Sequence, residues 1–180
     1  MSNTEVMIDD PFLVDAEEYE RAGLWEPGCY HFRIESIEKR PDQVIQGGDH
    51  EGEHYASLNF RLLAFEKAVY NDEGYFTGEI EPTAASRFVE LPVTGPYRAR
   101  GLKTYGALCE RVLGKKDGGM KDETTGKYSL SDLSDSLIGA EVWNVVSNYQ
   151  GKNPKSKNYG KWQDSTSDYF PKEPVRKLKR

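Results

Sequence analysis

The sequence predicts a mainly β domain: a five-stranded OB-fold barrel in the order β-β-β-α-β-β, with one helix between strands 3 and 4 and long loops. Three observations predict it. Stretches that alternate apolar and polar residues occur three times before one amphipathic helical stretch and twice after it. That helical stretch ends at a glycine. The connecting segments are rich in Gly, Asn, Asp and Pro, as loops are. Such a barrel binds ligands across strands 2 and 3, and between the loops that join strands 1–2 and 4–5.

The elements follow in order. In GCYHFRIESIEKR, 28–40, Tyr30, Phe32 and Ile34 share one face and His31, Arg33 and Glu35 the other. Ile37 breaks the phase, which predicts a bulge or twist. PDQVIQGGDHEGE, 41–53, reads as a loop. In HYASLNFRLLAF, 54–65, Ala56, Leu58, Phe60 and Leu62 point one way, and Tyr55, Ser57, Asn59 and Arg61 the other. The span 66–85, which includes NDEGYFTGEIEPT, is expected to be a second long loop. SRFVELPVT, 86–94, is a third strand, with Val89, Leu91 and Val93 opposed by Phe88 and Glu90.

The period then changes. Leu102, Tyr105, Leu108, Cys109, Val112 and Leu113 recur at helical spacing, and Gly114 ends the helix. A linker follows, then a short turn at Leu130, Leu133 and Leu137 leading into Gly139. AEVWNVVSNY, 140–149, and NYGKWQ, 158–163, are strands 4 and 5. Residues 1–26 form an acidic arm with a helical turn at Leu13, Ala16 and Tyr19. Residues 27–165 are the barrel, and 166–180 a basic tail.

The 180-residue length suits one domain. No apolar run is long enough to span a bilayer. The start, MSNTEVMIDD, lacks the apolar run of a secretory signal. Cys29 and Cys109 stand far apart without metal-type spacing, so a reduced, cytoplasmic protein is expected. The net charge of −6 argues against indiscriminate nucleic-acid binding, but the charge is segregated. Up to Pro27 there are eight acids against Arg21 alone, whereas 150–162 carries four lysines and no acid. Such asymmetry can hide a cationic face inside an acidic total.

Signatures of catalysis or metal binding are poor. GLKT lacks the glycine spacing of a phosphate loop. His50 and His54 bridge a loop and a strand without an evident third metal ligand. Cys29 and His31 share a strand face but have no assignable third partner. No catalytic residue, metal or cofactor is expected.

The segments GCYHFRI, SLNFRLLAF, RARGLKTYGALCERVLG and SLIGAEVWNVVSNYQGK resemble a family of bacteriophage OB-fold proteins described as single-stranded DNA-binding proteins. In that family a G-x-Y strand opens the domain, and a helix ending in L-G precedes an L-x-G segment that starts strand 4. The resemblance covers Gly23 to Phe170 and is a pattern of hydrophobic and glycine positions, with no DNA-contacting motif that carries over residue by residue. It implies a phage protein in the host cytoplasm that coats single strands during DNA replication or recombination. One departure is the terminus. Many single-strand binders of this type end in an acidic tail that recruits partners, and this chain ends KEPVRKLKR. If an acidic peptide has that role here, the N-terminal arm would have to supply it.

Single-strand binding needs cations that track phosphates and rings that stack on unpaired bases. The 149–162 stretch offers Lys152, Lys155, Lys157 and Lys161 with Tyr149, Tyr159 and Trp162; the competing reading is a solvated hairpin with core aromatics at its base. Tyr55, Asn59, Arg61 and Phe88 could form a stacking platform on strands 2 and 3, or pack under the 66–85 loop, and Trp143 faces the same choice. Arg98, Arg100 and Lys103 at the helix start could bind phosphate or be ordinary surface charge. The expected partners are single-stranded DNA and proteins of replication or recombination. A homodimer through an open strand edge or the arm is compatible with the sequence. The alternative is a protein-binding β module of phage assembly or recombination that does not bind DNA. A nuclease is the remaining reading.

Overall fold

A computed structural model describes residues 15–16, 21–115 and 122–179. Most of the acidic arm, the turn positions Leu13 and Tyr19, residues 116–121 of the linker and Arg180 lie outside the described residues. Five strands form one antiparallel sheet: β1 Gly28–Val44, β2 His54–Tyr70, β3 Phe76–Pro92, β4 Glu141–Gln150 and β5 Trp162–Thr166. Helix α1, Arg98–Leu113, lies between β3 and β4, and the short α2, Leu130–Asp135, follows it.

The apolar alternation decides the inner face. Phe32, Ile34, Leu58, Phe60, Leu62, Leu91, Val142 and Val146 bury together with Tyr105 and Leu108 of α1 and with Leu133 and Leu137. Each large side chain of this kind contributes about 1.5–3 kcal/mol when taken out of water. The phase break at Ile37 is a register shift between Ile34 and Ser36, after which Ile37 turns toward the same core. The short helical turn at Leu130–Asp135 is capped by Ser129, whose side chain accepts from the Asp132 backbone N–H. Helix α1 ends at Gly114 with φ 78°, a left-handed conformation that glycine adopts without strain. Its other end depends on Gly101, where a Cβ would lie 1.8 Å from the Pro92 carbonyl oxygen. The helix backbone therefore rests directly on the end of β3.

Three expectations are corrected. The 66–85 loop is not a loop. β2 continues to Tyr70, Asn71 closes a tight turn by accepting from the backbone N–H of Glu73 and Tyr75, and β3 starts at Phe76. The first half of β3 is exposed on both faces, so no hydrophobic period marks it. β5 is shifted along the chain, since 158–161 is held in turns and the paired residues are Trp162 to Thr166. The final segment is docked. Phe170 packs on the main core, and Val175 and Leu178 cover a second apolar cluster of Cys29, Ala68 and Trp143 on the outer sheet face. Backbone bonds from Phe76 to Arg176 and from Leu178 to Gly74 hold that segment to the β2–β3 turn.

The sheet order is β3-β2-β1-β4-β5, and no backbone pairing joins β3 to β5 among the described residues. The ladder thus does not close the sheet into the barrel expected from the sequence. Side chains link the two edges instead: Arg87 of β3 pairs with Asp164 of β5 at 2.7 Å. The Trp25 ring lies 5.6 Å from the Arg87 guanidinium and 5.0 Å from the Tyr30 ring. Among the described residues, no helix is long and apolar enough to cross a membrane.

Candidate nucleic-acid interface

Beside this seam lies a groove of ≈ 580 Å³, bounded by the end of β3, the start of α1, β5 and the loops after β1 and β4. The two loops hold each other. Gly48 N–H donates to the Lys155 carbonyl at 3.1 Å, and Lys155 Nζ meets Asp49 at 2.7 Å. The hydrogen bond and charge of Lys155 hold the Asp49 carboxyl below its usual range, and Asp49 in turn raises Lys155. The β4–β5 loop can fold this tightly because of Gly151, where a Cβ would sit 2.1 Å from the Asn158 carbonyl oxygen.

Four rings line the groove: Tyr55, Phe88, Tyr97 and Tyr149. Phe88 is 63% exposed and Tyr149 45%, so both present ring surface to solvent. Tyr149 is steadied by its hydroxyl, which donates to Gln163 at 3.3 Å, and Tyr97 meets the His50 ring edge-on at 5.7 Å. The charged lining is Arg87, Arg100 and Lys157 against Glu90 and Asp164. Glu90 Oε1 accepts from Ser57 at 2.6 Å and from Tyr55 at 3.2 Å. Burial foremost, and then the Glu90 charge, raises the Tyr55 hydroxyl. Arg87 is only 10% exposed, and burial outweighs Asp164 in lowering its pKa. Its Nε and Nη1 have no hydrogen-bond partner among the described residues.

Of the residues singled out in the sequence, Tyr55, Phe88, Arg100, Tyr149 and Lys157 meet in this groove. Lys152, Tyr159 and Lys161 are exposed on the same loop without lining it, and Lys155 is engaged with Asp49. Arg61 is the cross-strand partner of Phe88 but pairs with Glu35 at 2.8 Å. It lines a second, shallower depression with Arg33 and Phe65. Arg98 is exposed outside the groove lining, and Lys103 pairs with Asp168, whose pKa it lowers. Trp162 also lies outside the lining, with the Arg21 guanidinium 4.4 Å from its ring centroid.

Two candidates are covered. Asn59 is buried between Glu38 and Glu90 on the neighbouring strands and donates toward Glu38 at 3.4 Å. Trp143 is 7% exposed and stacks on His31 at 4.6 Å, in the cluster that Val175 and Leu178 cover. Strand alternation correctly set Trp143 apart from Val142 but carried no sign that the chain's end would cover that side. Tyr97, Arg87 and Glu90 were not singled out. Tyr97 stands next to the Arg98–Arg100 pair in GPYRAR, a signal that reading the cations alone passes over.

His50 pairs with Glu53 and His54 with Asp42, so the two histidines face different partners. Among the described residues no three metal-ligating side chains gather. Neither a family model nor a curated protein matches this chain.

Proposed function

We propose that this chain is an OB-type module, akin to the phage single-stranded DNA-binding proteins it resembles, and that it coats single strands with little sequence preference during DNA replication or recombination. The sheet order supports the fold reading. β3 and β5 are the two strands such a barrel brings together, and here Arg87, Asp164 and Trp25 bridge them. The groove carries the functional reading: four rings, three of them exposed, converge with Arg100 and Lys157 between the two loops that flank an OB ligand. Aromatic faces stack on any base, and the cations answer the phosphates, so the function is stoichiometric binding without a chemical step.

The test is a fluorescence polarization titration with a labelled single-stranded oligonucleotide of mixed sequence across salt. Sub-micromolar binding in low salt that weakens steeply as salt rises is expected. No binding up to tens of micromolar would sink the proposal in favour of a protein-binding β module. That second reading draws on one observation: β3 is a seventeen-residue edge strand with Ile80 and Phe88 exposed, an edge that a partner strand could extend. Divalent-metal-dependent cleavage of the probe would instead point to a nuclease.

A further inference from the structure

A carboxylate in a groove for a polyanion needs a reason, and the groove contains two. Asp164 is engaged at both oxygens: Oδ1 accepts from Arg87 Nη2 at 2.7 Å and Oδ2 from the Trp25 backbone N–H at 3.4 Å. Glu90 is different. Both of its hydrogen bonds, from Tyr55 and Ser57, end on Oε1. Oε2 takes none from the described residues, and Glu90 is exposed on the same strand face as Phe88, two residues away. The Tyr55 hydroxyl is tied to Glu90, so one groove ring is fixed beside the carboxylate, and a second, Phe88, stands on the same face of β3 two residues away. Two aromatic rings and a carboxylate oxygen without a donor thus share one groove.

We propose that Glu90 makes this groove favour guanine among the bases of a bound single strand; this rests on the single-strand reading above. An ionised carboxylate only accepts hydrogen bonds, and Oε2 has two lone-pair positions open. Guanine presents two adjacent donors on its pairing edge, N1–H and the N2 amine, which a carboxylate can take together. Cytosine and adenine present one amine beside a ring nitrogen that accepts. Thymine presents N3–H between two carbonyls, whose negative ends face the carboxylate. Phosphates are repelled from the same point, so the bases turn inward and the backbone lies toward Lys157 and Arg100. The selectivity is a bias on otherwise sequence-tolerant stacking.

The test uses three oligothymidylates of one length: unmodified, with three isolated guanines, and with deoxyinosine at those positions. Inosine keeps the purine ring but lacks the N2 amine, so it separates hydrogen bonding from stacking area. The guanine strand should bind the wild-type protein about fivefold or more tightly than the unmodified strand, with inosine between them. In Glu90→Gln, which adds a donor where the open acceptor stood, the guanine-to-inosine ratio should fall toward one. Lys152→Ala, an exposed position outside the groove lining that does not touch Glu90, should keep it. Equal binding of the guanine and inosine strands by the wild-type protein overturns the inference and leaves the single-strand reading standing, and this comparison needs no variant. A guanine advantage that survives Glu90→Gln in a variant with unchanged circular dichroism overturns the role of Glu90. Failure of all three strands to bind overturns the underlying reading and the inference with it.

Discussion

Among single residues, what each cation touches separates its role from that of its neighbours. Lys157 lines the groove, whereas Lys155, two residues earlier, is committed to Asp49. Lys157→Ala should therefore reduce the slope of log affinity against log salt by about one contact, and Lys155→Ala by less. Equal slopes for both variants and the wild type would remove the β4–β5 loop from the binding path. If the rings stack on bases as proposed, Tyr149→Ala and Tyr55→Ala should each lower affinity by about 1–3 kcal/mol while leaving the slope unchanged. Titration against oligonucleotide at two salt concentrations separates the two effects.

Buried protonated groups bear on stability in the same residue-by-residue way. Burial pushes the Cys109 thiol from 9.0 up to about 11, and burial, with Glu26 and Glu81, pushes the Tyr30 hydroxyl from 10.0 up to about 12. The unfolded chain loses these protons first. The stabilisation is whole below about pH 9 and is lost as pH climbs through the folded-state values. The guanidinium midpoint should be level from about pH 7 to 8.5 and fall above it; a midpoint that rises there contradicts the assignment.

At the level of elements, glycine contacts set how closely helix, strand and loop approach. Gly101→Ala places a methyl group within 1.8 Å of the Pro92 carbonyl oxygen, in backbone that cannot step aside without moving α1 from β3. Overpacking of this kind costs about 1–3 kcal/mol or more, and a lowered Tm should report it. The same shift would move Arg100 and Tyr97, so DNA affinity should fall along with stability. Helix α1 was fully legible from its 3.6-residue period and from Gly114, because its buried stripe is continuous. The first half of β3 was not. It is an edge segment exposed on both faces, joined to β2 by backbone bonds that leave no trace in side-chain pattern. Asn71–Gly74 reads as loop composition, and the structure uses it as a tight hairpin turn.

For the molecule as a whole, the described C-terminal segment is part of the scaffold. Val175 and Leu178 cover Cys29, Ala68 and Trp143, and the Tyr70 hydroxyl donates to the Val175 carbonyl at 2.8 Å. Ending the chain after Pro171 should lower the urea midpoint by an amount equivalent to about 1–3 kcal/mol, since two half-buried apolar side chains and two backbone bonds are lost. An unchanged midpoint would mean that the segment only rests on the sheet. The groove lies among other elements, so this truncation is distinct from any of the groove variants.

The chain's own pattern was enough to establish the order of strands and helix, the inward faces of β1, β2 and β4, and the Gly114 stop. All of these are local, and alternation or helical spacing writes them directly into neighbouring residues. It also separated the outward residues from which a site had to be drawn. It could not say which of them would meet. Tyr55, Phe88, Tyr97 and Tyr149 are far apart along the chain and come together only because the sheet order sets the end of β3 and β5 on either side of one opening. Nor could it say what would be covered: Asn59 and Trp143 occupy outward positions like the others, and neighbouring strands or the folded-back terminus bury them. Periodicity records which way a side chain points, whereas what stands in front of it depends on contacts between distant segments.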